Sequence, residues 1–325
     1  MKYVYGPVPS RRLGQSLGID PIPQKTCNWN CVYCQLGRSR PLVNERKSFI
    51  PSDDILRQVE ESLAGHKSGK IDWITFVGSG ETTLHSELGL LIREVKALTN
   101  LPIAVITNGS LFYLPEVRQE LLSADAVLPS LDAGNETLYR KINRPHPDLP
   151  FDRILHGMIA FRKEYKYNLW IEVMLIQGLN DTEEALTELA ERLKEIQPDE
   201  VHILQPTRPP VEPWVKPSDE EGMLRARAIL GKIAKVIHPI NGTFDLNQNG
   251  NLVDAIVNII IRHPMREIEI IEALENIPDI NVMETLNELK KSGQAKVINR
   301  YGVKFWSASP SYYPAENGKE DESTT

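Results

Sequence analysis

Between residues 16 and 204, short apolar runs alternate with amphipathic stretches. The apolar runs cover 16–22, 71–77, 103–106, 126–131, 170–176 and 201–204, and each ends in turn-forming residues. Runs of that length, apolar on both faces, read as buried strands. The stretches between them, 52–64, 86–98, 115–123, 151–163 and 182–196, repeat apolar positions at helical spacing. Ile55, Val59 and Leu63 mark one such face, and Ala185, Leu189 and Leu193 another, which predicts helices with one buried stripe. Ser52 or Asp53, and Asp181, stand where N-caps are needed. Six strand–helix units in alternation predict an α/β fold with a parallel sheet. A last helix over 220–237 closes this region.

Two Pro-rich segments interrupt the pattern. Residues 5–14, Tyr-Gly-Pro-Val-Pro-Ser-Arg-Arg-Leu-Gly, are too rich in Pro and Gly for a helix and read as a shaped loop. Residues 206–217 hold five prolines and read as an extended segment at the sixth strand end, a cover for the site or a plain linker.

After Asn241-Gly242 the pattern changes. Helices are predicted over 252–261, 266–275 and 282–292, the last carrying Val282, Leu286 and Leu289 on one face and stopped by Gly293. Strands 294–298 and 303–306, joined by Asn299-Arg300-Tyr301-Gly302, form a hairpin. Three helices followed by a hairpin resemble a winged helix. Lys290, Lys291, Lys296, Arg300 and Lys304 suit a phosphate backbone, while the first two helices are acidic, so a structural role and nucleic-acid contact both stay open. Residues 310–325 are polar and are expected to be disordered.

Composition narrows the class. A chain of 325 residues, 41% hydrophobic and 25% charged, is that of an ordinary soluble protein with one large core and room for a smaller unit. No apolar run has membrane-spanning length. The first five residues lead straight into the Pro-rich motif without a secretory signal, which predicts a cytoplasmic protein with reduced thiols. A formal charge of −7 argues against a surface that coats nucleic acid, leaving room for a local basic patch.

The candidate chemistry centres on Cys27-Asn28-Trp29-Asn30-Cys31-Val32-Tyr33-Cys34, which holds all three cysteines. Thiolates spaced C-x3-C-x2-C on one loop can grip three corners of an iron–sulfur cube and leave one iron open. A disulfide with a spare thiol, or a zinc site completed by one of the scattered histidines His66, His85, His146 and His156, are the alternatives. Arg11 and Arg12 suit a phosphate or carboxylate, or else cap backbone carbonyls. Residues 139–146, with Arg144, either receive an anionic substrate or form a solvated helix and loop.

The cysteine spacing, with Tyr33 before the last Cys, resembles the radical S-adenosyl-L-methionine (SAM) superfamily. That resemblance implies a [4Fe-4S] cluster held by Cys27, Cys31 and Cys34. Its open iron would chelate SAM, and reductive cleavage would yield a 5′-deoxyadenosyl radical that abstracts hydrogen from substrate. Gly78-Ser79-Gly80-Glu81, directly after a strand, is similar to the superfamily's SAM-amino turn, with Thr82 where Pro is commonest. Six units resemble its partial (β/α)6 TIM-like barrel, whose chemistry sits at strand C-termini. Asn108, Ser130, Asp132, Gln177 and Gln205 fall there. Of these, Asn108, Ser130, Asp132 and Gln177 are candidates, with Tyr33, for SAM or substrate. The implied division is a barrel domain over 1–240, a winged-helix-like domain over 241–309, and the tail.

The opening Gly6-Pro7-Val8-Pro9-Ser10-Arg11-Arg12-Leu13-Gly14, the run Cys-Val-Tyr-Cys-Gln-Leu-Gly and Asn143-Arg144-Pro145-His146 resemble a group of iron–sulfur oxidoreductases related to wybutosine synthesis. The wybutosine enzymes carry further N-terminal cysteines for a second cluster; this chain has none, so a single-cluster enzyme is expected. A low-potential donor, flavodoxin or ferredoxin, is implied, and the C-terminal unit tilts the substrate towards a macromolecule such as tRNA or protein. A redox-sensing nucleic-acid-binding regulator and a glycyl-radical activase are the competing functions.

Overall fold

The computed structural model of the chain describes residues 2–66, 69–238, 244, 246, 251–275, 277 and 280–309. The predicted tail and the boundary at 240/241 lie outside them.

Strands β1 (Val4–Ser10) and β2 (Gly14–Ile19) form an antiparallel hairpin, with Val4 opposite Ile19 and Ser10 opposite Gly14. Residues 5–14, expected as a loop, are therefore mostly strand. β1 lies at the edge of its sheet, where the missing N–H of a proline breaks no ladder on the solvent side. The register shifts between Tyr5 and Val8, where Gly6 and Pro7 sit. The hairpin backbone is tight: a Cβ on Gly18 would come within 2.2 Å of the Tyr5 ring.

From β2 onward each strand pairs in parallel with the next. The strands are β3 (Trp73–Phe76), β4 (Ile103–Thr107), β5 (Ala126–Pro129), β6 (Asn168–Met174), β7 (Glu200–Leu204) and β8 (Ala234–Val236). The intervening helices are α1 (Ser52–Gly65), α2 (Leu88–Leu98), α3 (Pro115–Leu121), α4 (Glu136–Asn143), α5 (Phe151–Glu164), α6 (Glu183–Ile196) and α7 (Glu220–Leu230). Right-handed crossovers that all advance one strand the same way put the helices on one face and curl the sheet towards a barrel. This barrel stays open, with β1 and β8 as its edges.

The six predicted parallel strands are β2 to β7. The seventh, β8, corrects the helix expected over 220–237: Gly231, at φ 79°, ends α7, and Ala234–Val236 pairs with β7. α4 overlaps the basic stretch 139–146, whose first part is therefore helix; Asn135 caps it by accepting from the Leu138 amide. The strands bury Ile74, Phe76, Val105, Val127, Ile171, Val173, Val201 and Ile203 against the helices in one core.

The C-terminal unit comprises α8 (Leu252–Ile260), β9 (Met265–Arg266), α9 (Glu267–Glu275), α10 (Val282–Lys291), β10 (Ala295–Arg300) and β11 (Val303–Ala308), with antiparallel sheet order β10-β11-β9. The two-residue β9 was too short to read from sequence. α8 is apolar on nearly every side, so it must be covered on more than one. Ile256, Ile259 and Ile260 share a core with Tyr5 and Val8 of β1. At the far end, the Tyr301 hydroxyl donates to the Val215 carbonyl at 2.6 Å. The unit is therefore docked on the barrel at two points. Among the described residues no helix is long and apolar enough to cross a membrane.

Candidate active site

The cysteine loop is held by backbone bonds. The amides of Asn30 and Val32 donate to the carbonyls of Asn143 and Ile142, at 2.9 Å each. These are C-terminal carbonyls of α4, which have no partner within the helix. Cys27, Cys31 and Cys34 are free, half-buried, and face one cavity of about 370 Å³. Each sulfur meets an N–H. The Trp29 amide lies 3.4 Å from Cys27 Sγ, Asn143 Nδ2 lies 3.6 Å from Cys31 Sγ, and Lys25 Nζ lies 3.3 Å from Cys34 Sγ. Asn108 Nδ2 approaches Cys27 Sγ at 4.0 Å.

This donor set fits thiolates bound to metal. Burial, with Glu81 nearby, pushes the Cys27 thiol up to about 12, and burial raises Cys31 well above its ordinary value. A metal overrides that preference by deprotonating the thiol outright. Among the described residues no three His, Cys, Asp or Glu side chains converge on a single metal ion. The thiols instead stand round a cavity, which suits a multi-iron cluster with one thiolate per iron.

The turn after β3 is pinned to the same loop. The Lys25 amide donates to the Ser79 carbonyl at 2.7 Å, and the Glu81 amide to the Thr26 carbonyl at 2.9 Å. A Cβ on Gly80 would sit 1.8 Å from the Thr26 carbonyl oxygen, so only glycine allows this approach. Gly78, Ser79 and Gly80 line the cavity beside the cysteines. Glu81 does not: it is buried and accepts from the Thr83 amide and hydroxyl, the Thr107 hydroxyl and the Asn108 amide, joining the ends of β3 and β4. Burial raises its pKa and these bonds pull it back.

The strand-end residues divide. Tyr33 lines the cavity and donates to Asp132 at 2.6 Å. Asp132, itself behind the wall, also accepts from Asn143 Nδ2 at 2.6 Å and the Met174 amide at 2.8 Å. Burial raises its pKa against those three bonds. Asn108 is tied to Asn28 at 2.8 Å, and Ser130 pairs through its backbone with Thr107 and Glu172. Gln205 lines the cavity and donates to the Ser218 carbonyl. Gln177 lies away from the cavity lining: the strand stops at Met174, and the exposed side chain reaches Asp219 at 3.4 Å. Arg144 is also outside the lining, drawn off by Glu212, which it shares with Arg38.

Arg11 and Arg12 do line the cavity. Arg12 pairs with Glu172 at 2.5 Å, and burial raises the Glu172 pKa against that pull. Sequence reading missed Glu172, although a carboxylate in the middle of an apolar strand was a signal. It also missed Asp20, Lys25, Asn143, Arg208, Arg262 and His263. Arg262 and His263 come from beyond α8, so only the docking of the C-terminal unit brings them here.

A cysteine-lined cavity at the strand ends of an open α/β barrel suits a metallocofactor. A family profile described as the radical SAM superfamily matches residues 22–202, and the chain belongs to that superfamily. A UPF0026 protein of Methanocaldococcus jannaschii is 40% identical over 312 residues, covering 94% of this chain and 96% of that one. A protein named GTPase Obg from Brachyspira hyodysenteriae is 38% identical over 299 residues, 91% of this chain. The match spans only 43% of that relative's length. A radical SAM methyltransferase from Sphaerobacter thermophilus shares the fold, with a TM-score of 0.53 at 20% identity over 68% of this chain and 66% of that one. The chain is thus an enzyme of a superfamily that binds a [4Fe-4S] cluster and SAM and needs an electron donor and a substrate.

Proposed function

We propose that this protein is a single-cluster radical SAM enzyme in which Cys27, Cys31 and Cys34 hold the cluster and the residue 78–80 backbone receives SAM. The observation that carries this is the pinning of the Gly-Ser-Gly turn to the cysteine loop by two backbone hydrogen bonds, with both facing one cavity. When bound, the cluster supplies the electron that cleaves SAM to methionine and a 5′-deoxyadenosyl radical, which takes hydrogen from the substrate. The chain's own residues orient and enclose. Lys25, Asn143 and the Trp29 amide aim N–H groups at the sulfurs. Asp132 fixes Tyr33 and Asn143, and Glu81 with Asn108 fixes the turn. Ser130 acts through its backbone, and Gln177 and Arg144 brace outer turns.

The order helix, strand, helix, helix, hairpin over 252–308 supports reading residues 241–309 as a winged-helix-like domain, with the barrel over 1–240. Its role here is to wall the cavity: Arg262 and His263 line it, Tyr301 is docked, and Arg300 is buried. A DNA-reading sensor needs that face free, so the docking favours the enzyme. Flavodoxin or ferredoxin supplies the electron, and the site works in the cytoplasm, where its thiols stay reduced. The reacting group is a small molecule or a projecting part of a tRNA or protein.

The test is electron paramagnetic resonance of the anaerobically reconstituted, reduced protein. The reading expects a [4Fe-4S] signal that changes on adding SAM and is absent from Cys31→Ala. A signal indifferent to SAM would favour the sensor instead.

A further inference from the structure

Among the described residues, the cavity lining holds more cations than carboxylates. Four guanidinium groups line it: Arg11, Arg12, Arg208 and Arg262. Two are paired, Arg12 with Glu172 at 2.5 Å and Arg262 with Asp20 at 2.7 Å. Among the described residues, the other two hydrogen-bond to neutral groups only. Arg208 donates from Nε to the Pro264 carbonyl at 3.1 Å and from Nη1 to Gln35 Oε1 at 3.2 Å, and its Nη2 faces His263 Nε2. Arg11 donates to the Thr207 hydroxyl. The carboxylates that act on both electrostatically are Glu172 for Arg11 and Glu269 for each. Glu172 is engaged by Arg12, and Glu269 by Arg266 at 2.9 Å.

Neighbouring cations deepen the imbalance. Burial, and Arg11 beside it, push the Arg208 pKa down to about 9. Burial and Arg12 lower Arg11 likewise. Both side chains are half-buried against the cavity, and a guanidinium there without a carboxylate of its own is placed to take an oxyanion from the cavity. Arg208 follows β7, at the strand-end face where barrel chemistry is done. Arg11 comes from the β1–β2 turn and meets its neighbour Thr207, so the two cations converge from different parts of the fold.

We propose that Arg11 and Arg208 form the receptor for an anionic group of the substrate, a carboxylate or a phosphate. The proposal rests on the radical SAM reading of this cavity and adds the class of substrate to it. A planar fork of donors on each side suits an oxyanion held by charge-assisted bonds. SAM also carries a carboxylate, and the experiment must separate the two sources.

Full-length protein, anaerobically reconstituted, is titrated with inorganic phosphate, with acetate and with SAM as wild type, Arg208→Gln and Arg11→Gln. Unfolding midpoints, SAM affinity and uncoupled 5′-deoxyadenosine formation are recorded on the same samples. The proposal expects phosphate or acetate to raise the wild-type midpoint saturably. Each variant should weaken that response about tenfold or more, the loss of one charge-assisted contact. SAM affinity should hold within about threefold, and neither variant should be less stable than wild type in anion-free buffer. An anion response absent from wild type, or equal in all three proteins, overturns the proposal. A comparable fall in SAM affinity overturns it too, by assigning the guanidinium groups to SAM. Arg208→Lys is the second variant should Arg208→Gln fail to fold; failure of both overturns the proposal in favour of a structural role. Nucleoside formed without an anion response defeats this proposal alone, whereas an anion response without nucleoside defeats the radical SAM reading.

Discussion

Arg262, just beyond α8, donates from Nε to Asp20 Oδ2 at 2.7 Å, and both side chains are buried. Asp20 in turn accepts from the Ser79 amide at 3.0 Å and from the Ser79 hydroxyl. One guanidinium of the C-terminal unit therefore braces the turn proposed to receive SAM. Its remaining donors go to Asn258 and to the Lys2 carbonyl, and it lies 5.0 Å from the Tyr5 ring centroid. The C-terminal unit is thus tied to the chemistry of the barrel through a continuous set of hydrogen bonds.

Arg262→Met should destabilise the protein by about 3–5 kcal/mol, because it strands a buried carboxylate. Adding Asp20→Asn to that variant should recover part of the loss. Urea unfolding of the three proteins checks this. SAM affinity should fall in Arg262→Met as Asp20, the anchor of Ser79, loses its brace, and equal stability of the single and double variants would contradict the coupling.

Gly80→Ala places a methyl 1.8 Å from the Thr26 carbonyl oxygen, and backbone must move to admit it. Overpacking of this kind costs about 1–3 kcal/mol. The displaced turn should lose SAM affinity while iron content per chain is kept, since no cysteine is touched. Iron analysis alongside equilibrium SAM binding separates the two effects.

Asn143→Ala removes an N–H directed at Cys31 Sγ and a donor to Asp132. Hydrogen bonds to ligating sulfur favour the reduced cluster. Losing one worth about 1 kcal/mol should lower the cluster potential by tens of millivolts, read by redox titration of the reconstituted protein. An unchanged potential would remove Asn143 from the cluster's surroundings.

His202 is buried in β7, packed on Trp170 and hydrogen-bonded to Glu200, with Lys235 of β8 and Arg12 as the nearby cations. Burial lowers its pKa below the ordinary histidine value, against the pull of Glu200. The unfolded chain then takes a proton before the folded one does. Stability should therefore fall as pH drops below about 6.5, by at most about 1.4 kcal/mol per pH unit for one proton. His202→Gln should flatten the stability–pH curve in that window, measured by denaturant unfolding at a series of pH values.

The parts of the fold with a strong period were legible: β2 to β7 arise from apolar runs buried on both faces, and their helices from single apolar stripes. β1 was hidden because Pro7 and Pro9 look like loop residues until the strand is known to be an edge. β8 was hidden because residues 232–237 continue the apolar content of α7 past Gly231. Within the site, local sequence carried Cys27, Cys31, Cys34 and the Gly-Ser-Gly turn, whose residue types are required by close backbone approach. Arg262, His263 and Arg208 were beyond reach, since their place is set by docking between segments far apart in the chain. Gln177 and Arg144 looked suitable by position, but nearby Asp219 and Glu212 claim them.

Reductive SAM cleavage at a cluster held by the residue 27–34 loop leaves a product that can be counted. Its most direct measurement is 5′-deoxyadenosine formed by the reconstituted protein with dithionite and SAM. The nucleoside should accumulate with wild type and be lost with Cys31→Ala. A wild-type protein that holds four irons, binds SAM and forms no nucleoside would contradict it.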